Sequence, residues 1–294
     1  MNPLGRGPTA ALRRAAAALA CFAALGAMSD PAPVDPLAIT VELADSERFA
    51  ELFRTSAGAP TAEALQAQYL DPAGRGVEIF TPNRIRNAQH LAAVIARDPA
   101  RYRDAIERCL PLVRQTEPDL RAIYLGFRGL LPELPLPRIA VVFGADNSGG
   151  TAEADMQVLG LEVLCRIAPD DTAFRRIMRH FYAHETVHTF QRIDNARIEA
   201  DPLLASALAE GTADYIARLV TGEEPDPERA RWAEERAAFV WAEFGRDIAA
   251  ARDPALTDAQ RNAVMRRWVG NAGSPPEGWP SELGYWVGMK IAEG

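Results

Sequence analysis

The sequence predicts an α+β fold that is mostly helical, with a small mixed sheet near the middle of the chain. Helix-capping pairs such as Asp98-Pro99, in which proline follows a capping side chain, recur on both sides of that region. Between them, Arg138–Phe143 is rich in β-branched residues and is expected to form a strand. With 294 residues and 48% hydrophobic content, the chain can bury a sizeable core.

The first 29 residues are expected to be a signal peptide. Three arginines precede an apolar run over residues 15–27, which is the composition typical of secretory signals. The run is too short to span a bilayer comfortably, so we expect cleavage near Ala27 or Ser29 and export to the periplasm or the medium. The alternatives are a retained segment or lipidation of Cys21, and only these would attach the chain to a membrane.

The remainder, residues 30–294, is expected to form one domain. Apolar and polar residues alternate in Ile39–Leu43, which predicts a short strand, and a helical part follows over residues 44–131. Thr81-Pro82 and Asp98-Pro99 each predict the start of a helix within that part.

A sheet is expected over residues 137–165. After the strand at Arg138–Phe143, a glycine-rich loop over residues 144–150 precedes a second predicted strand at Met156–Leu164, an arrangement that indicates a hairpin or a sheet edge. Glu162 on this strand is expected to face solvent, with contact to substrate amino groups as the alternative.

Two cysteines remain after Cys21 is set aside. In an oxidising compartment Cys109 and Cys165 can form one disulfide, and two buried free thiols fit equally well.

Two helices over residues 172–220 are expected to carry the functional residues, and further helices follow over residues 226–294. Either Asp170 or Asp171 can cap the first. Asp226-Pro227, the Thr257–Gln260 capping box and an apolar segment at 281–294 predict the later ones.

His184-Glu185-Thr186-Val187-His188 is an H-E-x-x-H pattern. Two histidines four positions apart lie on one face of a helix and can bind one Zn²⁺ ion together. Glu185 lies beside them and is the expected general base, because zinc activates a water molecule whose proton a carboxylate can accept.

A third ligand follows on the second helix. Glu210 can complete the metal site with His184 and His188, and Asp214, four positions later, can accept a hydrogen bond from the non-ligating nitrogen of His184. Gly211 keeps this helix slim and is expected to allow its close approach to the zinc helix.

These motifs resemble those of the gluzincin metalloproteases, whose active sites are thermolysin-like, and within that group the family of predicted zinc-dependent proteases. The likeness covers roughly residues 39–290, including Gly284-Tyr285-Trp286-Val287-Gly288. It implies a zincin-like domain, a peptide or protein substrate, and the metal ligands, base and orienting aspartate named above.

Two more residues are candidates for the site. By the same resemblance, Tyr285 is expected to stabilise the developing oxyanion, with a core aromatic as the alternative. His180, one helical turn before His184, is expected to be a supporting group, with a direct catalytic role as the alternative. His90 is expected at the surface.

The composition and motifs exclude some functions. A net charge of −8 argues against nucleic-acid binding, and there is no serine-hydrolase or phosphate-loop motif. The alternative to a metallopeptidase is an exported domain that binds zinc or a partner without turnover. Glu185 favours the enzyme, because a binding module has no need of a carboxylate between its two histidine ligands. Trp232 and Trp241 are expected to be packing residues.

Overall fold

The computed structural model describes residues 34–192 and 195–294, so the predicted signal peptide and Cys21 lie outside the described residues. The described chain is mostly helical with a small mixed sheet, as the sequence predicts. Its α-helices are α1 (Ala44–Thr55), α2 (Ala62–Leu65), α3 (Arg75–Phe80), α4 (Ala88–Arg97), α5 (Pro99–Asp104), α6 (Leu110–Val113), α7 (Glu117–Leu130), α8 (Leu161–Ile167), α9 (Asp171–Phe190), α10 (Asn195–Ala200), α11 (Pro202–Thr221), α12 (Pro227–Glu234), α13 (Ala237–Ala251), α14 (Asp258–Met265) and α15 (Leu283–Glu293). Its strands are β1 (Arg138–Val142), β2 (Gly150–Glu153) and β3 (Met156–Gly160).

The N-terminal helices form where the capping signals place them, with one exception. The Asp98 side chain accepts a hydrogen bond from the Arg101 amide and caps α5. The Thr81 side chain does not cap a helix, because its hydroxyl donates to the Val77 carbonyl, and the chain continues from α3 into a π-helical segment, Thr81–Ile85. The cap prediction at Thr81 is therefore wrong.

The strand predicted at Ile39–Leu43 is reduced to a single bridge. Glu42 pairs with Ala140 in parallel, and α1 begins two residues later. The early start of that helix carries the chain away from the sheet.

The sheet has the strand order β1-β3-β2, with β3 parallel to β1 and antiparallel to β2. Of the two alternatives, the hairpin between the first strand and the Met156 strand is wrong, since those two strands run parallel, whereas the sheet edge is confirmed, since β1 is the first strand in the order. The antiparallel partner of β3 is Gly150–Glu153, for which the sequence predicts no strand. Because β2 is the last strand in the order, one of its edges has no strand partner among the described residues.

The second predicted strand is also shorter than expected. It ends at Gly160, and the rest forms α8. Glu162 on α8 is fully buried and accepts hydrogen bonds from the amides of Gly144 and Asp146 at 3.0 and 3.1 Å. The prediction that Glu162 faces solvent is wrong, because these two donors hold its carboxylate inside the protein.

A disulfide joins Cys109 to Cys165. Of the two alternatives that the sequence left open, the structure has the disulfide and not the two free thiols. It links α8 to the helical N-terminal part. Both cysteines are buried.

Helix α9 packs against the sheet through a buried polar contact. Gln157 on β3 donates from Nε2 to Thr186 Oγ1 at 2.6 Å and to the Tyr182 carbonyl at 3.2 Å. Thr186 lies inside the H-E-x-x-H pattern, so the sheet holds the helix at the level of the predicted metal site.

Helices α11 and α15 cross at two glycines. A Cβ atom on Gly288 would collide with the Ala207 carbonyl, and one on Gly211 would collide with the backbone of Gly288. Gly211 was expected to allow approach to the zinc helix, but the close approach is to α15. The crossing brings the last helix against the site.

The structure also bears on one histidine that was predicted at the surface and on two tryptophans that were predicted to be packing residues. His90 is half-buried on α4. Trp232 packs against Trp279, with ring centroids 6.2 Å apart, whereas Trp241 is 41% exposed beside Trp286. The part of the chain that the structure describes contains no helix with the length and apolar composition of a membrane span.

Candidate metal centre and cleft

Helix α9 carries both histidines of the predicted site. Asp170 caps it by accepting from the Ala173 amide at 2.8 Å, and the helix continues to Phe190 without a break. His184 and Glu185 are buried, and His188 is partly exposed toward a cleft. The continuous helix therefore presents the three side chains from one rigid element.

Three side-chain atoms from α9 and α11 converge on one point. His184 Nε2 lies 3.0 Å from His188 Nε2 and 3.2 Å from Glu210 Oε2. The third side of the triangle, from His188 Nε2 to Glu210 Oε2, is 3.3 Å. Ligand atoms at bonds of about 2.0–2.1 Å in a tetrahedral zinc site lie about 3.3–3.4 Å apart, so the triangle has the dimensions of such a site.

Asp214 fixes the tautomer of His184. Its Oδ1 lies 2.9 Å from His184 Nδ1, and its Oδ2 accepts from Arg229 Nη2 at 2.6 Å. An ionised carboxylate can only accept, so Nδ1 of His184 carries a proton, and Nε2 presents a lone pair whenever the ring is neutral. Arg229, itself buried, holds this carboxylate in place.

Gln191 fixes the other histidine in the same way. Its Nε2 donates to the Ala209 carbonyl at 2.7 Å, which turns its Oε1 toward His188 Nδ1, also at 2.7 Å. Because an amide oxygen accepts, His188 Nδ1 donates and its Nε2 also presents a lone pair.

The donor set therefore fits a zinc ion. Two imidazole nitrogens and one carboxylate oxygen face each other, an arrangement that a cation bound between them would stabilise. Burial alone would lower the pKa of His184, but the bonded carboxylates of Asp214 and Glu210 raise it to about 10. The same negative environment that favours a proton on this ring favours a dication.

A second cluster of potential ligands, comprising His180, His184 and Asp214, fits a metal less well. His180 Nε2 is 3.8 Å from Asp214 Oδ1, and the other oxygen of Asp214 already binds the Arg229 guanidinium. A positive charge there opposes a second cation. Burial lowers the pKa of His180 to about 4, so this ring is a neutral neighbour of the site.

Glu185 lies directly beneath the edge strand β2. A Cβ atom on Gly150 would collide with the Glu185 carboxylate, so only glycine lets the strand pass this close. Burial raises the pKa of Glu185, while His184 and His188 oppose that shift. A carboxylate with a raised pKa is a stronger base than an exposed one.

Tyr285 on α15 lies beside the candidate metal ligands and lines the same cleft. Its ring stacks with His184 at a centroid distance of 5.9 Å, and the Arg229 guanidinium carbon lies 5.2 Å from the same ring. Burial and the nearby Glu210 carboxylate raise the pKa of Tyr285 well above its ordinary value, so its hydroxyl keeps its proton and remains a donor. Trp286, the next residue, points into the core.

The candidate metal ligands, together with Glu185, Asp214 and Tyr285, line one cleft of about 1010 Å³. Its floor is the face of α9 that carries His184 and His188, and β2 forms part of its wall. The cleft is also lined by Gln191, Arg229 and Arg84, which are not among the residues predicted from the sequence to form the site. Gln191 follows His188 by three positions, a spacing that could have indicated the contact, whereas the two arginines are distant in sequence and carry no such signal.

The structure thus brings together His184, His188, Glu210, Glu185 and Asp214, with Tyr285 and His180 beside them. The chain matches no known family model, no curated protein and no solved structure.

Proposed function

We propose that the chain is an exported zinc-dependent metallopeptidase of the gluzincin type, with a zincin-like fold. The observation that carries the proposal is the convergence of His184 Nε2, His188 Nε2 and Glu210 Oε2 at the floor of an open cleft. A zinc ion held by these three atoms would polarise a scissile carbonyl and activate a water molecule.

The side chains around these ligands supply the remaining chemistry. Glu185 takes up the proton of the attacking water and returns it to the leaving amine. Tyr285, held protonated, donates its hydroxyl to the negative charge that develops on the carbonyl oxygen. Asp214 and Gln191 keep the two imidazoles in the tautomer that binds metal.

The edge strand β2 supports a peptide as substrate. An extended peptide can pair with an unpartnered strand edge through main-chain hydrogen bonds, and β2 runs past Glu185 at contact distance. The scissile carbonyl of the bound peptide would then lie beside Glu185 and the proposed metal ligands. A structure with a peptide-like inhibitor tests this, and an inhibitor bound with no main-chain hydrogen bonds to residues 138–164 would refute it.

The disulfide supports export. Cys109 and Cys165 are bonded, and such bonds persist in oxidising compartments such as the periplasm or the medium.

The function is tested by a peptide-library digest with the zinc-loaded protein, followed by mass spectrometry of the cleaved bonds. We expect cleavage by the wild-type chain and none by Glu185→Gln. Stoichiometric zinc without any cleavage by the wild-type chain would instead favour a zinc-binding domain without turnover.

A further inference from the structure

Arg84 is a half-buried arginine in the cleft wall that the chemistry described above does not use. It belongs to the π-helical segment Thr81–Ile85 and lines the cleft together with Glu185 and Gly150. Burial lowers its pKa, yet an arginine remains charged at neutral pH. The wall of the cleft therefore carries a fixed positive charge near the proposed base.

The side chain is held in position from two sides. Its Nε donates to Ser148 Oγ at 3.2 Å, and its guanidinium carbon lies 5.6 Å from the centroid of the Phe80 ring. Ser148 in turn donates to the Gly150 carbonyl at 2.7 Å. These contacts fix Arg84 at the point where the edge strand β2 begins.

Arg84 has no carboxylate within ion-pairing distance in residues 34–192 and 195–294, and its two terminal nitrogens have no hydrogen-bond acceptor there. The buried arginine of the same cleft, Arg229, is by contrast bonded to Asp214. A partly buried charge without a partner is unfavourable. The negative charge that acts on the pKa of Arg84 is that of Glu185, whose carboxylate the proposed reaction requires.

We propose that Arg84 binds a carboxylate of the substrate, so that the cleft selects peptides with a free carboxylate near the scissile bond. This inference rests on the proposed peptidase function. The two free terminal nitrogens can engage both oxygens of one carboxylate. That group is either the C-terminus of the peptide or an aspartate or glutamate side chain, which share the same chemistry.

Binding of matched peptides to the zinc-loaded Glu185→Gln protein tests the proposal without depending on turnover. One peptide sequence is made with a C-terminal amide, with a C-terminal carboxylate, and as the amide with one glutamine replaced by glutamate at each position in turn. Isothermal titration calorimetry gives a Kd for each. We expect one carboxylate arm to bind roughly 10–100-fold more tightly than the neutral peptide, as a charge-assisted hydrogen-bond pair provides. The arm that does so identifies the source of the carboxylate.

In the same background, Arg84→Gln should abolish that preference and leave the Kd of the neutral peptide within about twofold. Arg86→Gln is the matched control, because Arg86 is an exposed neighbour outside the cleft and the change in net charge is identical. If Arg84→Gln does not fold, Arg84→Lys decides, since it keeps the charge but loses the two-nitrogen contact and should lose most of the preference.

A preference that persists in the Arg84 variants, or no preference in any carboxylate arm, would overturn the inference. Failure of the proposed function is distinguishable from this. A wild-type chain that cleaves none of the peptides contradicts the peptidase, whereas the binding measurements still decide the role of Arg84.

Discussion

Gln191 links the two halves of the proposed metal centre, since its Oε1 accepts from His188 Nδ1 at 2.7 Å while its Nε2 donates to the Ala209 carbonyl. Ala209 directly precedes Glu210, so one amide side chain orients a ligand on α9 and restrains the backbone beside the ligand on α11. We therefore expect Gln191 to contribute to the affinity of the proposed site for zinc.

Gln191→Ala should weaken zinc binding roughly 10–100-fold, because His188 loses the acceptor that fixes its tautomer. Competition with a chromophoric chelator measures the affinity. Arg192→Ala is the matched control, since Arg192 is exposed and the affinity of that variant should equal that of the wild type. Equal affinities for Gln191→Ala and Arg192→Ala would remove Gln191 from the centre.

Asp214→Asn should weaken zinc binding or reduce turnover by a similar factor, roughly 10–100-fold. The amide cannot serve both His184 and Arg229 as the carboxylate does, and it also leaves the buried guanidinium without its counter-charge. Loss of a buried partner costs on the order of 3–5 kcal/mol, so the free energy of unfolding should fall as well. An unchanged zinc affinity together with an unchanged rate would contradict the orienting role.

Tyr285→Phe should lower turnover roughly 10²–10³-fold while zinc content stays unchanged, because only the hydroxyl donor is removed. Tyr215→Phe on α11 is the control, since that ring lies outside the residues that line the cleft. Turnover of Tyr285→Phe equal to that of the wild type would make Tyr285 a packing residue, and His180 would be the next candidate.

The raised pKa of Glu162 predicts that the stability of the fold depends on pH, independently of the proposed metal centre. Burial raises the pKa of Glu162 from about 4.5 to about 7 in the folded protein. Between these values the unfolded chain loses the proton and the folded chain keeps it, so the contribution of Glu162 is fully present below pH 4.5 and is lost as the pH rises through 7. The decrease is on the order of 3 kcal/mol.

Urea unfolding between pH 4.5 and pH 8 measures this effect. Glu162→Gln should be less stable than the wild type at low pH, because the backbone N–H of either Gly144 or Asp146 loses its acceptor. The plot of its unfolding free energy against pH should be flatter than that of the wild type. Parallel profiles for the two proteins would contradict the raised pKa.

The sequence predicted the helical framework because its signals are local. Asp98, Asp170, Asp226 and Thr257 each cap a helix within three residues, and the capping box at Thr257 is present in the structure. The convergence of His184, His188 and Glu210 was also predictable, since spacing on a helix face and a known pattern carry it.

The sheet was less predictable, because its pairing depends on contacts between distant residues. Gly150–Glu153 has little strand preference of its own and becomes a strand by pairing with β3. Glu162 is buried because amides elsewhere in the chain face it, which no periodicity in its own segment reveals. Arg229 and Arg84 reach the cleft for the same reason, from segments far from α9 in sequence.

The central claim is that His184, His188 and Glu210 hold one zinc ion for a reaction in which Glu185 is the base. Metal analysis paired with peptide turnover, on the wild type and single variants purified alike, tests it most directly. We predict one zinc per chain in the wild type and in Glu185→Gln, with turnover only in the wild type, and loss of both zinc and turnover in His184→Ala, His188→Ala and Glu210→Ala. Stoichiometric zinc in Glu210→Ala, or turnover near that of the wild type in Glu185→Gln, would contradict the account.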